Sequence, residues 1–228
     1  DGWRGVLGVD ITLEKMMMVA AAAAQQLSFQ YRSTHNSSLI IVGYDRRFLA
    51  EEFAEAIAAA IKGCELEPLI TSTPVPTPAC SWSVVKRKAL GALVVTASHN
   101  PPEWLGLKVK DPLGASVDEK FTEAVEQRLL LRGFTIPIYS STDRFDCRKE
   151  HLEGLKEKVD ISKIIKGIKQ LGLKVIVDPM HGSAAGCITE LFRGSNFVEE
   201  IRSKRDPLFG GNSPEPLAPY LKELITAV

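Results

Sequence analysis

Ser98, His99 and Asn100 stand between an apolar, β-branched run, Leu93 to Thr96, and two prolines, Pro101 and Pro102. A serine hydroxyl is a weak nucleophile until a base, a metal or a neighbouring charge activates it. His99 adjoins the serine, although adjacent side chains often diverge. Pro101 biases Asn100 away from the helical region, and Pro102 does the same to Pro101. The loop is therefore stiff and presents the hydroxyl in one direction. If Gly106 to Lys110 is a strand, alternation puts Lys108 and Lys110 on one side and Leu107 and Val109 on the other. Such a basic side suits an anion. The same Ser-His-Asn-Pro-Pro stretch also reads as an Asx or Ser turn leaving a strand, and local chemistry leaves both readings open. Neither the G-x-S-x-G of a hydrolase elbow nor the glycine-rich G-K-S/T pattern of a P-loop occurs.

Such a loop needs strands and helices to hold it. Asp10 or Thr12 caps a helix expected to run to about Gln30, followed by a polar loop from Ser33 to Ser38. Leu39 to Gly43 reads as a buried strand, with Asp45, Arg46 and Arg47 just past its end. Those arginines read as structural, pairing with Asp45 or tying a loop. Phe48 to Lys62 is a helix with Gly63 at its C′ position. Glu67 to Thr71 is a strand, and Pro74, Pro76 and Pro78 stiffen the link to a helix over Thr77 to Lys86. Leu90 to Thr96 is the strand that delivers Ser98, and Val117 to Leu131 is a helix. Tyr139 to Asp143 is polar and turn-rich. Beyond it, Phe145 to Lys169 reads as mostly helical. Gly172 to Val177 and Phe197 to Ile201 read as strands, Ala184 to Phe192 and Leu217 to Thr226 as helices.

Strands alternating with helices predict an α/β class, mixed sheets layered with helices. The boundary falls between a first domain at 1–140 and a second at 145–228. The second offers only two clear strands, a poor core on its own. Ligands of open α/β sheets gather at the carboxyl ends of strands, where Ser98 lies.

The chain has 228 residues, with 28 basic and 28 acidic side chains. Zero net charge argues against a nucleic-acid or anionic-membrane surface. Cys64, Cys80, Cys147 and Cys187 form no C-x-x-C pair, which argues against zinc. Scattered thiols without a signal peptide fit the cytoplasm. The longest apolar run, Met16 to Ala24, is far too short for a bilayer span.

Thr96-Ala97-Ser98-His99-Asn100-Pro101 resembles the phosphoserine signature of the α-D-phosphohexomutases, the phosphoglucomutase/phosphomannomutase superfamily. Four further stretches resemble that family in its own order. Asp1-Gly2-Trp3-Arg4-Gly5 is similar to its amino-terminal substrate-phosphate segment. Gly43 to Arg47 resembles the first strand-to-helix turn, and Val177 to Gly186 the corresponding turn of the second domain. Asp206 to Gly211, with Pro214-Glu215-Pro216, resembles the stretch after it.

The resemblance implies a four-domain enzyme moving a phosphoryl group between C1 and C6 of a hexose phosphate, glucose and/or mannose. A phosphoserine at Ser98 and a hexose 1,6-bisphosphate intermediate would carry the group. It further implies Ser98 as carrier, Lys108 as general base or charge stabiliser, His99 as a proton-transfer or phosphate-binding group, and Arg4 as a substrate-phosphate ligand. Taken alone, Arg4 would be a surface arginine and Lys108 a solvated strand lysine; His181 reads as a loop residue. Mg²⁺ is the implied metal, held by the Ser98 phosphate and three aspartates of a D-x-D-x-D loop, and glucose 1,6-bisphosphate the implied activator. No D-x-D-x-D occurs here, so the chain is expected to be an amino-terminal portion, inactive by itself. Many members read Asn-Gly where this chain has Leu105-Gly106, which predicts an altered turn before Lys108. The expected partner is a small hexose phosphate, with no nucleic acid and no membrane; oligomeric state is open. The alternatives are a serine-dependent phosphatase and a non-catalytic sugar-phosphate-binding module.

Overall fold

The computed structural model describes residues 2–130 and 141–228. A six-stranded sheet forms the larger layer. Its strands are β1 (Gly2–Val6), β2 (Leu39–Tyr44), β3 (Glu67–Thr71), β4 (Gly91–Val95), β5 (Trp104–Lys110) and β6 (Arg144–Phe145), in the order β1-β5-β4-β2-β3-β6. β4, β2, β3 and β6 run parallel, and β5 and β1 close the other edge antiparallel.

Helices cover both faces. α1 (Leu13–His35), α2 (Ala50–Gly63) and α4 (Glu119–Leu130) share one face; α3 (Thr77–Arg87) and α5 (Cys147–Lys158) share the other. Thr12 caps α1 by accepting the Lys15 N–H at 3.3 Å. Alanines fill the α1–α2 contact: Ala20, Ala23 and Ala24 meet Ala54, Ala58 and Ile57 in one core. Side chains this small let two helices approach closely over a sheet that is itself apolar on both faces. On the opposite face Ile41, Ala92 and Val94 pack on Ala79, Cys80 and Val84 of α3. Among the described residues no helix is long and apolar enough to cross a membrane.

A smaller unit follows. α6 (Ile161–Leu171) leads to β7 (Val175–Val177), α7 (Cys187–Leu191), its parallel partner β8 (Val198–Glu200), and α8 (Lys222–Ala227). Two strands bury little: Met180, Ala185, Cys187, Phe197 and Phe209 are its buried apolar residues among those described. α6 buries none of its side chains, although Ile161, Ile164, Ile165 and Ile168 fall on one face.

Several elements depart from the sequence expectations. Gly2 to Val6 is a strand, because the edge of β5 offers a free ladder. α1 runs on through Ser33 and Thr34 to His35, where Asn36 closes it in the left-handed region. The stretch 145–169 is mostly helical as expected, and it is divided in two. Phe145 pairs with β3, and two aspartate caps, Asp146 and Asp160, start separate helices at α5 and α6. Gly172 is the left-handed end of α6, not part of a strand. Leu105 is not in a turn at all: it lies inside β5, fully buried opposite Gly5, and the turn is made earlier by Trp104 N–H to Pro101 O. The predicted ends at Leu131 and Tyr139-Ser140 lie outside the described residues.

At Gly106, β1 and β5 approach closely. A Cβ there would sit 2.3 Å from the Trp3 carbonyl oxygen and 2.9 Å from the Arg4 Cα. Gly106→Ala should therefore prise Arg4 off β5 and destabilise the protein by about 1–3 kcal/mol, read as a shift in the urea unfolding midpoint. An unchanged midpoint would mean that the edge strand is not firmly seated.

Candidate active site at the ends of two parallel strands

β2 and β4 are parallel neighbours, with Tyr44 opposite Val95. Their carboxyl ends lie side by side, so Asp45-Arg46-Arg47 emerges next to Thr96-Ala97-Ser98. From β2 the chain moves to β3 on one side; from β4 it moves to β5 on the other. The two exits diverge and leave a crevice between them, the usual place for a ligand in an open sheet.

Arg47 organises the loop that leaves β4. Its guanidinium is 1% exposed and donates to four carbonyls of that loop. One terminal nitrogen reaches Pro101 O at 2.7 Å and Trp104 O at 3.1 Å; the other reaches Ser98 O at 3.0 Å and Asn100 O at 2.7 Å. Nε faces Asp45 Oδ2 across 3.2 Å, an ion pair without hydrogen-bond alignment. Asp45 Oδ1 accepts the Arg47 backbone N–H at 3.0 Å. Burial pushes the Asp45 carboxyl up and the Arg47 guanidinium down, and each is opposed by the other's charge. Arginine stays protonated regardless.

Ser98 itself has φ +57°, a left-handed conformation that non-glycine residues rarely hold without outside support. Its N–H donates to Thr96 Oγ1 at 3.0 Å, its carbonyl is held by Arg47, and its side chain is exposed. The hydroxyl oxygen lies 3.4 Å from His99 Nδ1. His99 Nε2 in turn stands 3.8 Å from Glu215 of the second unit.

Arg4 and Lys108 approach from the antiparallel edge. Arg4 lies opposite Gly106 and Gly2 opposite Lys108, so Arg4 and Lys108 are diagonal neighbours on one face. Arg4 donates to Asn100 Oδ1 at 3.0 Å. Burial, and after it the charge of Arg4, lowers the Lys108 ammonium below the ordinary lysine value.

The second unit closes the crevice into a cleft of about 340 Å³, lined on one side by Asp45, Arg46, Thr96, Ser98 and His99 and on the other by Gly182, Ser183 and Phe209. Arg46 donates to Ser203 O at 2.6 Å. Burial lowers its guanidinium, and Arg148 and Arg205 push the same way. Ser98 and His99 thus reach the cleft directly. Arg4 is one contact away through Asn100. Lys108, its diagonal neighbour, is not among the residues that line the cleft. Glu215 meets this loop at His99, and Arg205 and Phe209 meet Arg47, although nothing local in the sequence points to them as partners.

Among the described residues no three His, Cys, Asp or Glu side chains converge as a metal site. Asp45, the carboxylate that lines the cleft, is committed to Arg47. These residues alone do not make a Mg²⁺ site, which takes about six oxygens with several from water or phosphate.

The family model described as phosphoglucomutase/phosphomannomutase, alpha/beta/alpha domain I matches residues 1–133, and that for domain II matches 149–228. A phosphoglucomutase/phosphomannomutase of Thermococcus kodakarensis is 28% identical over 100% of the chain and 49% of its own length. A phosphoglucosamine mutase of Prochlorococcus marinus is 29% identical over 98% of the chain and 48% of its own length. A Thermus thermophilus crystal structure, described as a candidate phosphomannomutase, superposes with a TM-score of 0.86 at 30% identity, covering 100% of this chain and 50% of that one. The chain spans about half the length of the curated relatives it matches.

Arg47→Met should leave Asp45 buried without its counter-charge and four carbonyls without donors. Loss of a buried partner of this kind is worth about 3–5 kcal/mol, measurable by chemical unfolding. Arg47→Lys should fail to restore it, because a point charge cannot fork to four acceptors. Lys108, like its neighbour Lys110, should titrate below the ordinary lysine value in a ¹³Cε NMR series. Arg4→Ala should move it part of the way back, since burial is the larger cause. Between its folded value and the ordinary 10.5, the unfolded chain binds the extra proton. The Lys108 contribution to stability therefore grows with pH across that window and is lost as pH falls through the folded value. A Lys108 resonance moving with the bulk lysines would contradict the burial.

Proposed function

The chain belongs to the phosphoglucomutase/phosphomannomutase family, and on that premise we propose that it carries the phosphoserine half of a hexose-phosphate mutase, with Ser98 as the phosphoryl carrier. The observation that supports this best is the Ser98 loop: an exposed hydroxyl at a cleft, on a backbone bent the unfavourable way and pinned by one buried arginine at four carbonyls. Phosphoryl transfer asks a protein for position and charge more than for covalent work.

In the proposed reaction, phospho-Ser98 meets a hexose hydroxyl at the cleft. The bond from phosphorus to Ser98 Oγ breaks as a bond to the sugar oxygen forms, giving a hexose 1,6-bisphosphate. The proton that the attacking hydroxyl loses goes to a nearby base. The sugar turns over, the bond from its other phosphorus to the sugar oxygen breaks as a bond to Ser98 Oγ forms, and the freed sugar oxygen takes back the proton held by the base. His99 Nδ1, at the cleft, is placed for the Ser98 oxygen; Lys108, outside the cleft lining as it stands, would act there as base or charge stabiliser only on moving toward the substrate, and its burial eases its deprotonation. Arg4, tethered at Asn100, is suited to hold a substrate phosphate. Phosphate oxygens on Ser98 are the hard donors Mg²⁺ prefers, and the remaining ligands would come from outside these residues. The substrate is proposed as a glucose or mannose phosphate, with glucosamine phosphate a further candidate from the relatives' names. Glucose 1,6-bisphosphate would charge the serine. The division at 140/145 and a cytoplasmic location remain part of the same proposal.

A serine-dependent phosphatase is the second reading, favoured by the Ser98–His99–Glu215 line of contacts. The two diverge in product. A mutase in its longer form should interconvert hexose 1- and 6-phosphates after priming with glucose 1,6-bisphosphate, releasing little inorganic phosphate; a phosphatase should release it stoichiometrically.

The longer protein, treated with glucose 1,6-bisphosphate, should carry a mass excess of ~80 Da at Ser98; the 228-residue polypeptide should show no mutase turnover. Ser98→Ala should abolish the excess, and in the longer protein most of the activity, while shifting unfolding by no more than about 0.5 kcal/mol, as for an exposed side chain. Full turnover by the Ser98→Ala protein would exclude the serine as carrier.

A further inference from the structure

Arg47 does not hold the Ser98 loop unaided. Its guanidinium sits over the ring of Phe209, with the guanidinium carbon 5.1 Å from the ring centroid. Its backbone carbonyl accepts from Arg205 Nη2 at 3.1 Å. The exchange is reciprocal, because Arg46 of the first unit donates to Ser203 O of the second at 2.6 Å. All three contacts come from one short segment, Ser203 to Phe209, more than 150 positions from Arg47. The segment is built to keep its shape. Asp206 accepts the N–H groups of Leu208 and Gly210, each at 2.9 Å, and so bends the chain that carries Phe209. Phe209 is itself left-handed at φ +52° and is 6% exposed.

We propose that Arg205 and Phe209 are positioning residues that fix Arg47 and through it the aim of Ser98, so that the second unit sets the reactivity of a serine it does not touch. This rests on the mutase reading. The physical link is short. An aromatic ring beneath a buried cation helps hold the guanidinium in place. The guanidinium plane decides where four carbonyls lie, and those carbonyls fix the left-handed turn at Ser98. A shift of the plane would turn the hydroxyl without unfolding the sheet, and phosphoryl transfer is sensitive to displacements of about 1 Å.

The test uses the longer protein, with Phe209→Leu, Phe209→Tyr and Arg205→Gln. Leucine keeps the apolar volume and removes the ring; tyrosine restores the ring; Arg205 is an exposed side chain whose replacement should not impair folding. Phe209→Leu should lower kcat about tenfold, the size of a cation–π contact worth roughly 1–2 kcal/mol, and leave KM for the hexose phosphate within about twofold. The single-turnover rate of Ser98 phosphorylation by glucose 1,6-bisphosphate should fall in step. Phe209→Tyr should return both to wild type, and Arg205→Gln should fall between. In an Arg47→Lys background the Phe209→Leu effect should largely vanish, because the two residues act in series. A Phe209→Leu protein with normal kcat, or one in which kcat falls only as far as the folded fraction does, overturns the proposal. If wild type itself takes no phosphate on Ser98, it is the mutase reading that fails; if wild type is charged and the variants match it, only the clamp fails.

Discussion

A single buried cation holds the site together. Removing a guanidinium from water is expensive, and one carboxylate rarely makes up the difference. Arg47 is compensated on every side: by Asp45 at Nε, by four loop carbonyls at its terminal nitrogens, and by the ring of Phe209 beneath it. The loop benefits as much as the arginine does. A turn containing Pro101 and Pro102 lacks two N–H groups, and its carbonyls point into protein where water cannot serve them all. One planar fork with donors in fixed directions meets those acceptors together. The left-handed Ser98 is then held by its surroundings rather than by its own preference.

That arrangement requires two chain segments some fifty residues apart to end at the same place. The sheet order provides it. β2 and β4 are adjacent and parallel, although the chain visits β3 between them. A parallel return needs a crossover, and α2 and α3 supply it on opposite faces. The alanines of α1 and α2 matter to the site for this reason. They let the helical layer sit close enough that strand ends, not helix ends, define the crevice floor.

The sequence made the chemistry easier to see than the scaffolding. Ser98, His99 and the two prolines are contiguous, and their stiffness follows from backbone sterics alone. Asp45 and Arg47 could be assigned a tying role because both sit at a strand end, yet the identity of what they tie depends on which strand lies beside β2. Buried strands and alanine-rich helices announced themselves by composition; β1 did not, because an edge strand with two glycines gains its conformation from its partner. Leu105 misled for a related reason. It was weighed as a turn residue, whereas β5 begins one residue earlier and takes it into the core. The mostly helical character of 145–169 was legible, and Asp146 and Asp160, each capping a helix, mark where it divides. Glu215, Arg205 and Phe209 could not be placed at His99 and Arg47 from local pattern, because their contacts exist only once the two units meet.

The two units solve the same local problem twice. In each, an aspartate directly follows a parallel strand and accepts the N–H two residues on: Asp45 from Arg47 after β2, and Asp178 from Met180 after β7. In each, that carboxylate is paired with an arginine, Arg47 in the first and Arg202 in the second. The difference lies in where the arginine comes from. Arg47 belongs to the turn itself and reaches forward into the neighbouring loop. Arg202 arrives from beyond β8, binds Asp178 through two nitrogens and reaches Tyr220 O at 3.0 Å. Its backbone carbonyl takes the His181 N–H at 2.8 Å, beside the left-handed pair Met180 and His181. Both turns therefore hold residues in conformations they would not choose, and both do so at the wall of one cleft. In the first unit the constrained residue is a serine with its hydroxyl exposed. In the second the constrained turn runs into Gly182 and Ser183, which face that serine across the cleft. A sheet of two strands has little apolar burial with which to hold such a turn, so the charge pair does there what the larger core does for β2.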